Sequence, residues 1–390
     1  RRLGRSVALD EIGYPSAVSV ELGLAYPETS SDGFESLSDL LRADNADEPV
    51  VATAPVNIDA WNAASLSWVV GSTPRSDHRS GPSKVGHGDV ERIRGTRALF
   101  DRMDNQFGGA HARRSLVEYL NSELPSVLNA SASDDVRKGL YSAAGEITQL
   151  AAWMSYDAGS HGLAQRYFIQ ALALADMAQD RLLAASILDA MSHQATFLAK
   201  FREAANLARA ARAGTASLGI PIMTAHFHVM EARALARAGD AAGCDRALAA
   251  ATSEFERHKP GDGPDWIQYF DEAEFAAELG HCNRDLGRAA HATSYASQSL
   301  GSASGDYLRS DFFATMVLAD AHMDQGDVEQ ACDVALRALQ IGESLKSARC
   351  VSYVSEFRQR LKRAKGSLVV KEFEAAAESA RLWTPSRRSG

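Results

Sequence analysis

The chain has 390 residues, of which 45% are hydrophobic and 23% charged, and its formal net charge is -9. These proportions are those of a folded globular protein. The negative charge argues against the chain as a whole binding nucleic acid, because phosphate binding requires clustered Lys and Arg. No apolar run approaches the roughly 18 residues that span a bilayer. We therefore expect a cytoplasmic protein that does not bind a membrane.

The cysteines give no indication of a disulfide or metal framework. Cys244, Cys282, Cys332 and Cys350 lie far apart in the sequence and include no C-x-x-C pair. This spacing predicts reduced cysteines that pack as small core residues. No metal or cofactor is expected.

Residues 1–70 predict a small N-terminal segment of mixed structure. Residues 35–41 read as a short amphipathic helix, residues 49–56 as extended chain, and residues 59–70 as a second helix. In that second helix we expect Trp61, Leu66 and Trp68 to pack against the core, since such side chains are usually buried.

Residues 71–88 form a segment rich in Gly, Ser, Pro and basic residues, which predicts a flexible linker. Its positive charges are too few for a strong phosphate-binding surface. From residue 89 to residue 383 the pattern is helical, and the tail 384–390 is expected to be disordered.

The helical part contains a repeated hairpin. Residues 149–172 read as two helices joined at Gly159, with small or aromatic residues at helical spacing on both sides. Small residues recur five and twelve positions after such a turn in five successive copies. The turn residues are Gly159, Ala199, Gly239, Gly287 and Gly326.

This pattern predicts an all-α fold, a solenoid of antiparallel helix pairs similar to tetratricopeptide repeats (TPRs). The turns are 40, 40, 48 and 39 residues apart, whereas TPRs repeat at about 34 residues. The excess falls after the second helix of a pair, as in residues 258–264. Residues 349–362 and 368–382 are expected to form a final pair that caps the stack.

No catalytic motif accompanies the repeats. The sequence lacks a phosphate-binding P-loop, a dinucleotide-binding glycine motif, a nucleophile elbow and the H-E-x-x-H zinc motif. The 11 histidines are scattered along the chain. We therefore expect a protein that is not an enzyme.

A solenoid of this kind offers a concave groove lined by the first helix of each pair. Aromatic, basic, acidic and His side chains recur at the positions expected to face this groove, a mixture suited to a peptide, a small polar effector or a protein partner. Each residue is equally consistent with a solvated or salt-bridged helix face. The candidate groove residues are Gln149, Trp153, Tyr156, Asp189, His193, Arg233, Arg237, His281, Arg284 and Asp320.

The chain also resembles a known family over most of its length. It is similar to the actinobacterial NsdA-like regulators, which contain TPRs and repress sporulation and antibiotic production. The segments that resemble the family are 3–13, 104–120, 151–175, 187–198, 230–240, 266–275 and 281–287.

The resemblance implies a transcriptional regulator whose helical solenoid senses an effector or partner and whose N-terminal helix-turn-helix binds DNA. Residues 1–88 contain no helix-turn-helix with a basic recognition helix, and the sequence begins with Arg1 rather than Met. We therefore expect DNA contact only through a domain upstream of Arg1. The alternative is a scaffold that binds a protein and senses nothing, and either protein could form a homodimer.

Overall fold

The computed structural model describes residues 19–71, 74–76, 81 and 83–384. These residues form seventeen α-helices and no β-strand, which confirms the predicted all-α class for the described part of the chain. The helices are α1 (Ser30–Asn45), α2 (Pro49–Ala52), α3 (Ile58–Val70), α4 (His87–Phe107), α5 (Arg113–Leu128), α6 (Asp134–Asp157), α7 (His161–Met177), α8 (Arg181–Phe197), α9 (Phe201–Thr215), α10 (Pro221–Arg237), α11 (Ala241–Arg257), α12 (Glu272–Asp285), α13 (Ala289–Ser302), α14 (Leu308–Gln325), α15 (Val328–Ile341), α16 (Ala348–Leu361) and α17 (Leu368–Ala377).

Ten consecutive helices pack as five adjacent pairs, as the sequence predicts: α6 with α7, α8 with α9, α10 with α11, α12 with α13, and α14 with α15. Each pair turns at one of the five predicted turn residues, and each of these residues has a positive φ. The angles are 89° at Gly159, 57° at Ala199, 79° at Gly239, 70° at Gly287 and 84° at Gly326. Glycine adopts this left-handed conformation freely, so Ala199 is the one costly member of the set.

The small residues after each turn lie where the two helices of a pair approach closely. The residue five positions after each turn has no exposed surface, and the residue twelve positions after each turn is also buried. The first set is Ala164, Ala204, Cys244, Ala292 and Ala331, and the second is Ala171, Ala211, Ala251, Ser299 and Ala338. The absence of larger side chains at these places explains why the pairs can repeat with one geometry.

The described N-terminal residues are helical where the sequence predicts a mixed segment. The predicted extended chain at residues 49–56 instead begins with the short helix α2, and Pro49 occupies a first-turn position where a missing N–H costs nothing. Trp61 and Trp68 are fully buried as expected, but Leu66 is 63% exposed. The tryptophans are seven residues apart on one face of α3, and Leu66 lies on another face.

The N-terminal helices pack against the repeats rather than apart from them. Helices α1, α2 and α3 contact α7, and α3 also contacts α9. The buried guanidinium of Arg166 on α7 donates hydrogen bonds to the carbonyl oxygens of Val20 and Leu22, the latter over 2.9 Å. The two parts of the chain therefore share one hydrophobic core.

The predicted linker makes backbone contacts where it is described. The N–H of Arg75 donates to the Glu28 carbonyl over 2.9 Å, and the Ser131 N–H donates to the Ser83 carbonyl over 2.8 Å. Helix α4 already begins at His87, two residues earlier than expected. The family-like segment at 3–13, residues 72–73, 77–80 and 82 of the predicted linker, and the tail after Thr384 lie outside the described residues.

At the carboxyl end, the predicted final pair corresponds to α16 and α17. Helix α16 packs on α14 and α17 packs on α15, so the last two helices cover the last hairpin. Trp383 closes this region by packing edge-on against Phe373, with ring centroids 5.0 Å apart.

The helix pairs curve until the two ends of the series meet. The Lys346 N–H donates to the Phe107 carbonyl over 2.7 Å, and the Ala110 N–H donates to the Lys346 carbonyl over 3.1 Å. These bonds join the turn between α4 and α5 to the segment before α16. Because α4 also contacts α14, the helices form a closed ring rather than an open groove.

A buried carboxylate at the end of α6 holds this closure together. Asp157 is 1% exposed and accepts hydrogen bonds from the Gly109 N–H and the Ser347 hydroxyl, each over 2.8 Å. Its oxygens also lie 3.5 Å from Arg309 Nη1 and 3.8 Å from Arg349 Nη1. We call Asp157 and these four partners the closing junction.

Candidate functional site

The ring surrounds a cavity of about 390 Å³. Four consecutive first helices, α6, α8, α10 and α12, form one wall. Helix α4, the first turns of α14 and α16, and the loop before α12 form the other side. Residues on the wall are Glu146, Gln149, Leu150, Trp153, Ser186, Asp189, His193, Met223, His226, Phe227, Met230, Arg233, Glu274, Ala277, Glu278 and His281. Residues on the opposite side are Arg97, Asp101, Asp104, Asn105, Asp265, Trp266, Ile267, Gln268, Tyr269, Tyr307, Arg309, Ser310, Phe313 and Arg349.

Helical periodicity puts the wall residues on one face of each helix. On α12, Glu274, Glu278 and His281 are spaced by four and three residues, so their side chains form a single stripe. Equivalent stripes run along α6, α8 and α10. Since a hairpin reverses the chain twice per repeat, these first helices run in the same direction and their stripes lie side by side.

Six of the ten candidate groove residues line this cavity. They are Gln149, Trp153, Asp189, His193, Arg233 and His281. Gln149 Nε2 donates to the Ser186 hydroxyl over 2.9 Å, which links α6 to α8. Trp153 is partly exposed, and its ring packs edge-on against His193 at 5.4 Å between centroids.

Tyr156 lies behind the cavity wall rather than on it. Its side chain has no exposed surface, and its hydroxyl is 3.0 Å from Nδ1 of His193. The Arg349 guanidinium lies 5.0 Å from the Tyr156 ring centroid. Tyr156 therefore supports His193 and Arg349 but offers no surface to a ligand.

The other three candidates lie outside the main cavity. Arg237 borders a small recess and is 3.7 Å from a Glu356 carboxyl oxygen. Arg284 and Asp320 are almost fully buried and form an ion pair at 3.3 Å. Asp320 is also 3.1 Å from Arg360 Nε on α16. Because α16 covers this part of α14, only the first turn of α14 reaches the cavity.

Several lining residues were missed from the sequence because the ring closure brings them in. Arg309 lies at the start of the last hairpin, Arg349 follows that hairpin, and α4 lies outside the repeat series. The sequence predicts a long loop after α11, but nothing in its residues indicates that Trp266 and Tyr269 fold over the cavity. Only a contact between distant parts of the chain could have indicated these residues.

The carboxylates and cations of the cavity are partly paired. Arg309 Nη2 lies 2.7 Å from an Asp104 oxygen, and Arg233 forms a buried ion pair with Glu278. Burial raises the pKa of the Asp104 carboxyl, although Arg309 opposes this effect. Such pairs hold charges in a low-dielectric site at fixed positions.

Other polar groups in the cavity wall have no partner in the described part of the chain. Asp189 Oδ1, Arg233 Nε and Arg349 Nε are buried and make no hydrogen bond there. The Glu274 carboxyl also lines the cavity and forms no ion pair within the described ranges. Its burial and the neighbouring Glu278 raise its pKa to about 7. Buried polar groups usually have partners, so these atoms indicate a site that a ligand could complete.

One chain of polar contacts resembles a catalytic relay. Asp189 Oδ2 is 2.8 Å from His226 Nδ1, and His226 Nε2 is 3.1 Å from the Tyr269 hydroxyl. Although Tyr269 is 38% exposed, partial loss of hydration around its hydroxyl, together with the charges of Asp189 and Glu274, raises its pKa above the usual value. These contacts link the loop that carries Tyr269 to α10 and α8 over the cavity.

Comparison with known proteins gives no significant match to a protein-family model, a curated protein or a solved structure. Within the described ranges, no helix combines the length and apolar character needed to cross a membrane. In the same residues, no cluster of three or more His, Cys, Asp or Glu side chains could hold a metal ion. The site is defined by its own geometry: a polar, aromatic cavity inside a ring of helix pairs.

Proposed function

We propose that this chain is the sensory part of a regulator and that it binds a small effector or short peptide in the central cavity. The cavity volume of about 390 Å³ falls in the range of small-ligand sites, roughly 300–1,000 Å³. Its aromatic side chains offer contact area, and its unpartnered polar atoms offer orientation. The observation that supports the proposal most strongly is that buried atoms of Asp189, Arg233 and Arg349 make no hydrogen bond to any described residue.

The helix pairs are interpreted as TPR-like repeats of unusual length. The left-handed turn residues and the buried small residues at fixed offsets support this interpretation. Such repeats commonly use a concave surface for binding, and the first helices α6, α8, α10 and α12 line the cavity.

The regulatory part of the proposal follows from the position of the cavity. A ligand in it would contact α4, which ends just before the closing junction, and α16, which begins there, as well as four repeat helices. Binding would favour the closed ring over any more open arrangement, and a ligand shifts an equilibrium only through such a difference in affinity. We propose that this change is transmitted to a DNA-binding domain upstream of Arg1, as in the family that the sequence resembles.

A protein scaffold without effector binding is the second function considered from the sequence. A folded partner cannot enter a cavity of about 390 Å³, so the ring closure favours a small ligand. The scaffold interpretation would require a different, outer surface.

Thermal unfolding with the low-mass fraction of a cell extract tests the proposal. We expect this fraction to raise the melting temperature of the wild-type chain. A Ser186→Phe variant, which fills the cavity from its wall, should fold but show no rise. The matched control is Ser294→Phe on α13, outside the cavity lining. An extract that leaves the wild type unchanged, or that stabilises Ser186→Phe equally, would overturn the proposal.

A further inference from the structure

The cavity is electrically polarised along the helix axes. Relative to each hairpin turn, the acidic side chains of the first helices lie nine to thirteen residues earlier, as does His226, whereas His193, Arg233 and His281 lie six residues earlier. The acidic tier is Glu146, Asp189, Glu274 and Glu278, and the basic tier is His193, Arg233 and His281 with Arg349 from α16. Because the first helices run in the same direction, like groups gather at the same level.

The acidic tier has an open place for a cation. Glu146 is 3.1 Å from Arg94, Asp189 is 2.8 Å from His226, and Glu278 pairs with Arg233. Glu274 has no such partner among the described residues, and the second oxygen of Asp189 makes no hydrogen bond there. A protonated amine would supply the missing charge and up to three donors.

The basic tier offers hydrogen-bond donors to an anion. Arg233 and Arg349 are 7% and 8% exposed, both line the cavity, and the Nε donors of both lack partners in the described chain. Burial, with Arg349 and Arg233 close by, lowers the pKa of His193 well below its usual value. Two guanidinium groups beside neutral imidazoles form a site that a carboxylate can complete.

Because Glu278 is already paired with Arg233, the ligand must span from Glu274 to the level of the basic tier. Glu274 and His281 are seven residues apart on α12, which corresponds to about 10 Å along a helix. An extended peptide of three residues also spans about 10 Å. Trp153, Trp266 and Phe313 supply aromatic surface around the cavity.

We infer that the cavity takes a zwitterion of tripeptide length, with its amine at the acidic tier and its carboxylate at the basic tier. This inference depends on the proposed function, since it names the ligand class of the same site. The closing junction keeps Arg349 in place at the basic tier while Glu274, on the separate helix α12, receives the amine.

A mixed pool of tripeptides with free termini tests this assignment by thermal unfolding and by affinity selection with mass spectrometry. The same pool is used after N-acetylation and, separately, after C-amidation. The free pool should raise the melting temperature and be retained. Either blocked pool should bind with an affinity at least about tenfold lower. Because Arg349 also contacts Asp157, the carboxylate end is tested by changing the ligand rather than the protein.

Glu274→Gln tests the amine end, with the exposed Glu272→Gln on the same helix as its matched control. Glu274→Gln should lose the preference for free over acetylated peptides and keep the preference for free over amidated ones. Glu272→Gln should keep both. Equal binding of free and blocked pools, or no response to tripeptides while the low-mass extract stabilises the chain, would overturn the ligand class and leave the sensor proposal standing. No response to either source would overturn both.

Discussion

At the scale of single residues, the site is distinguished by Glu274, a cavity residue whose carboxyl group forms no ion pair with any residue that the structure describes. Glu274 faces Glu278 across one helical turn, and burial with this like charge raises its pKa to about 7. A group held in this way disfavours folding whenever it must be ionised. Binding sites commonly retain such groups because the ligand offsets the cost.

This cost predicts a pH-dependent gain in stability for Glu274→Gln. The unfolded chain releases this proton near pH 4.5 and the folded chain near pH 7. Wild-type stability therefore falls as the pH rises through that window, and the cost persists above it. Since the side chain is partly exposed, we expect the variant to gain about 1–2 kcal/mol at pH 8 and almost nothing near pH 4.5.

Urea unfolding of Glu274→Gln and Glu272→Gln across this pH range provides the measurement. The control should follow the wild type at every pH. A constant difference between Glu274→Gln and wild type would show that the Glu274 carboxyl does not titrate near pH 7.

At the scale of elements, the five hairpins depend on one backbone conformation at each turn. Four turns use glycine, but Ala199 holds a φ of 57°. An L-residue pays roughly 1–2 kcal/mol in this region because its Cβ approaches the following carbonyl oxygen. The fold therefore contains both an unfavourable turn and four natural controls for it.

Ala199→Gly should stabilise the chain, and Gly239→Ala should destabilise it. Relief of the Cβ contact is partly offset by the greater freedom of glycine in the unfolded chain. We expect a gain of about 0.5–1 kcal/mol for the first and a loss of about 1 kcal/mol for the second. Reversible denaturant unfolding measures both, and a loss on Ala199→Gly would contradict the account of this turn.

Gly162 on α7 tests how closely the N-terminal helices pack against the repeats. A Cβ added to Gly162 on α7 would lie 1.9 Å from the Ala54 carbonyl oxygen, whereas one added to Gly95 on α4 would meet nothing within 4 Å. Gly162→Ala should displace the segment that contains α2 and expose Trp61. Gly95→Ala should be neutral or stabilising by up to about 1 kcal/mol.

Limited proteolysis and tryptophan fluorescence compare these two variants. Gly162→Ala should be cut faster between α1 and α3 and show a red-shifted emission. Equal proteolysis of Gly162→Ala and Gly95→Ala would contradict the close contact between α7 and Ala54.

Most of the repeat architecture could be predicted because its signals are local. A left-handed turn residue and small residues five and twelve positions later lie within one hairpin, so Gly159, Ala164 and Ala171 report the packing directly. The same phase placed Trp153, His193, Arg233 and His281 at one level. Burial of Tyr156 was not predictable in this way, because Arg349 covers it from another helix.

At the scale of the whole molecule, the ring closure decides which residues form the site. Ser347 meets Asp157 across 190 positions of sequence, and Arg309 meets Asn105 across 204. Curvature adds up over the repeats, so no single repeat shows whether its series will close. This is why the sequence predicts a groove and the structure has a ring, and why Arg284 and Asp320 are interior ion-pair residues.

Asp157→Asn tests the closing junction. Without this charge, Arg309 and Arg349 lose a shared buried partner, and breaking a buried pair typically costs about 3–5 kcal/mol. Asp333→Asn, an exposed position on α15, serves as the control. Hydrogen exchange should show faster amide exchange at residues 107–111 and 346–350 in Asp157→Asn alone. If amide exchange were equally faster across α8–α11, Asp157 would not act only at the closing junction.

The central claim is that the cavity between the acidic and basic tiers is a ligand site, and a crystal structure of the liganded chain tests it most directly. Crystals grown with the retained tripeptide, or with the stabilising extract fraction, should show one molecule inside the ring. Its cationic group should lie within hydrogen-bond distance of Glu274, and its anionic group should lie beside Arg233 and Arg349. A ligand bound on the outer surface, with the cavity filled by side chains of the protein itself, would contradict the account.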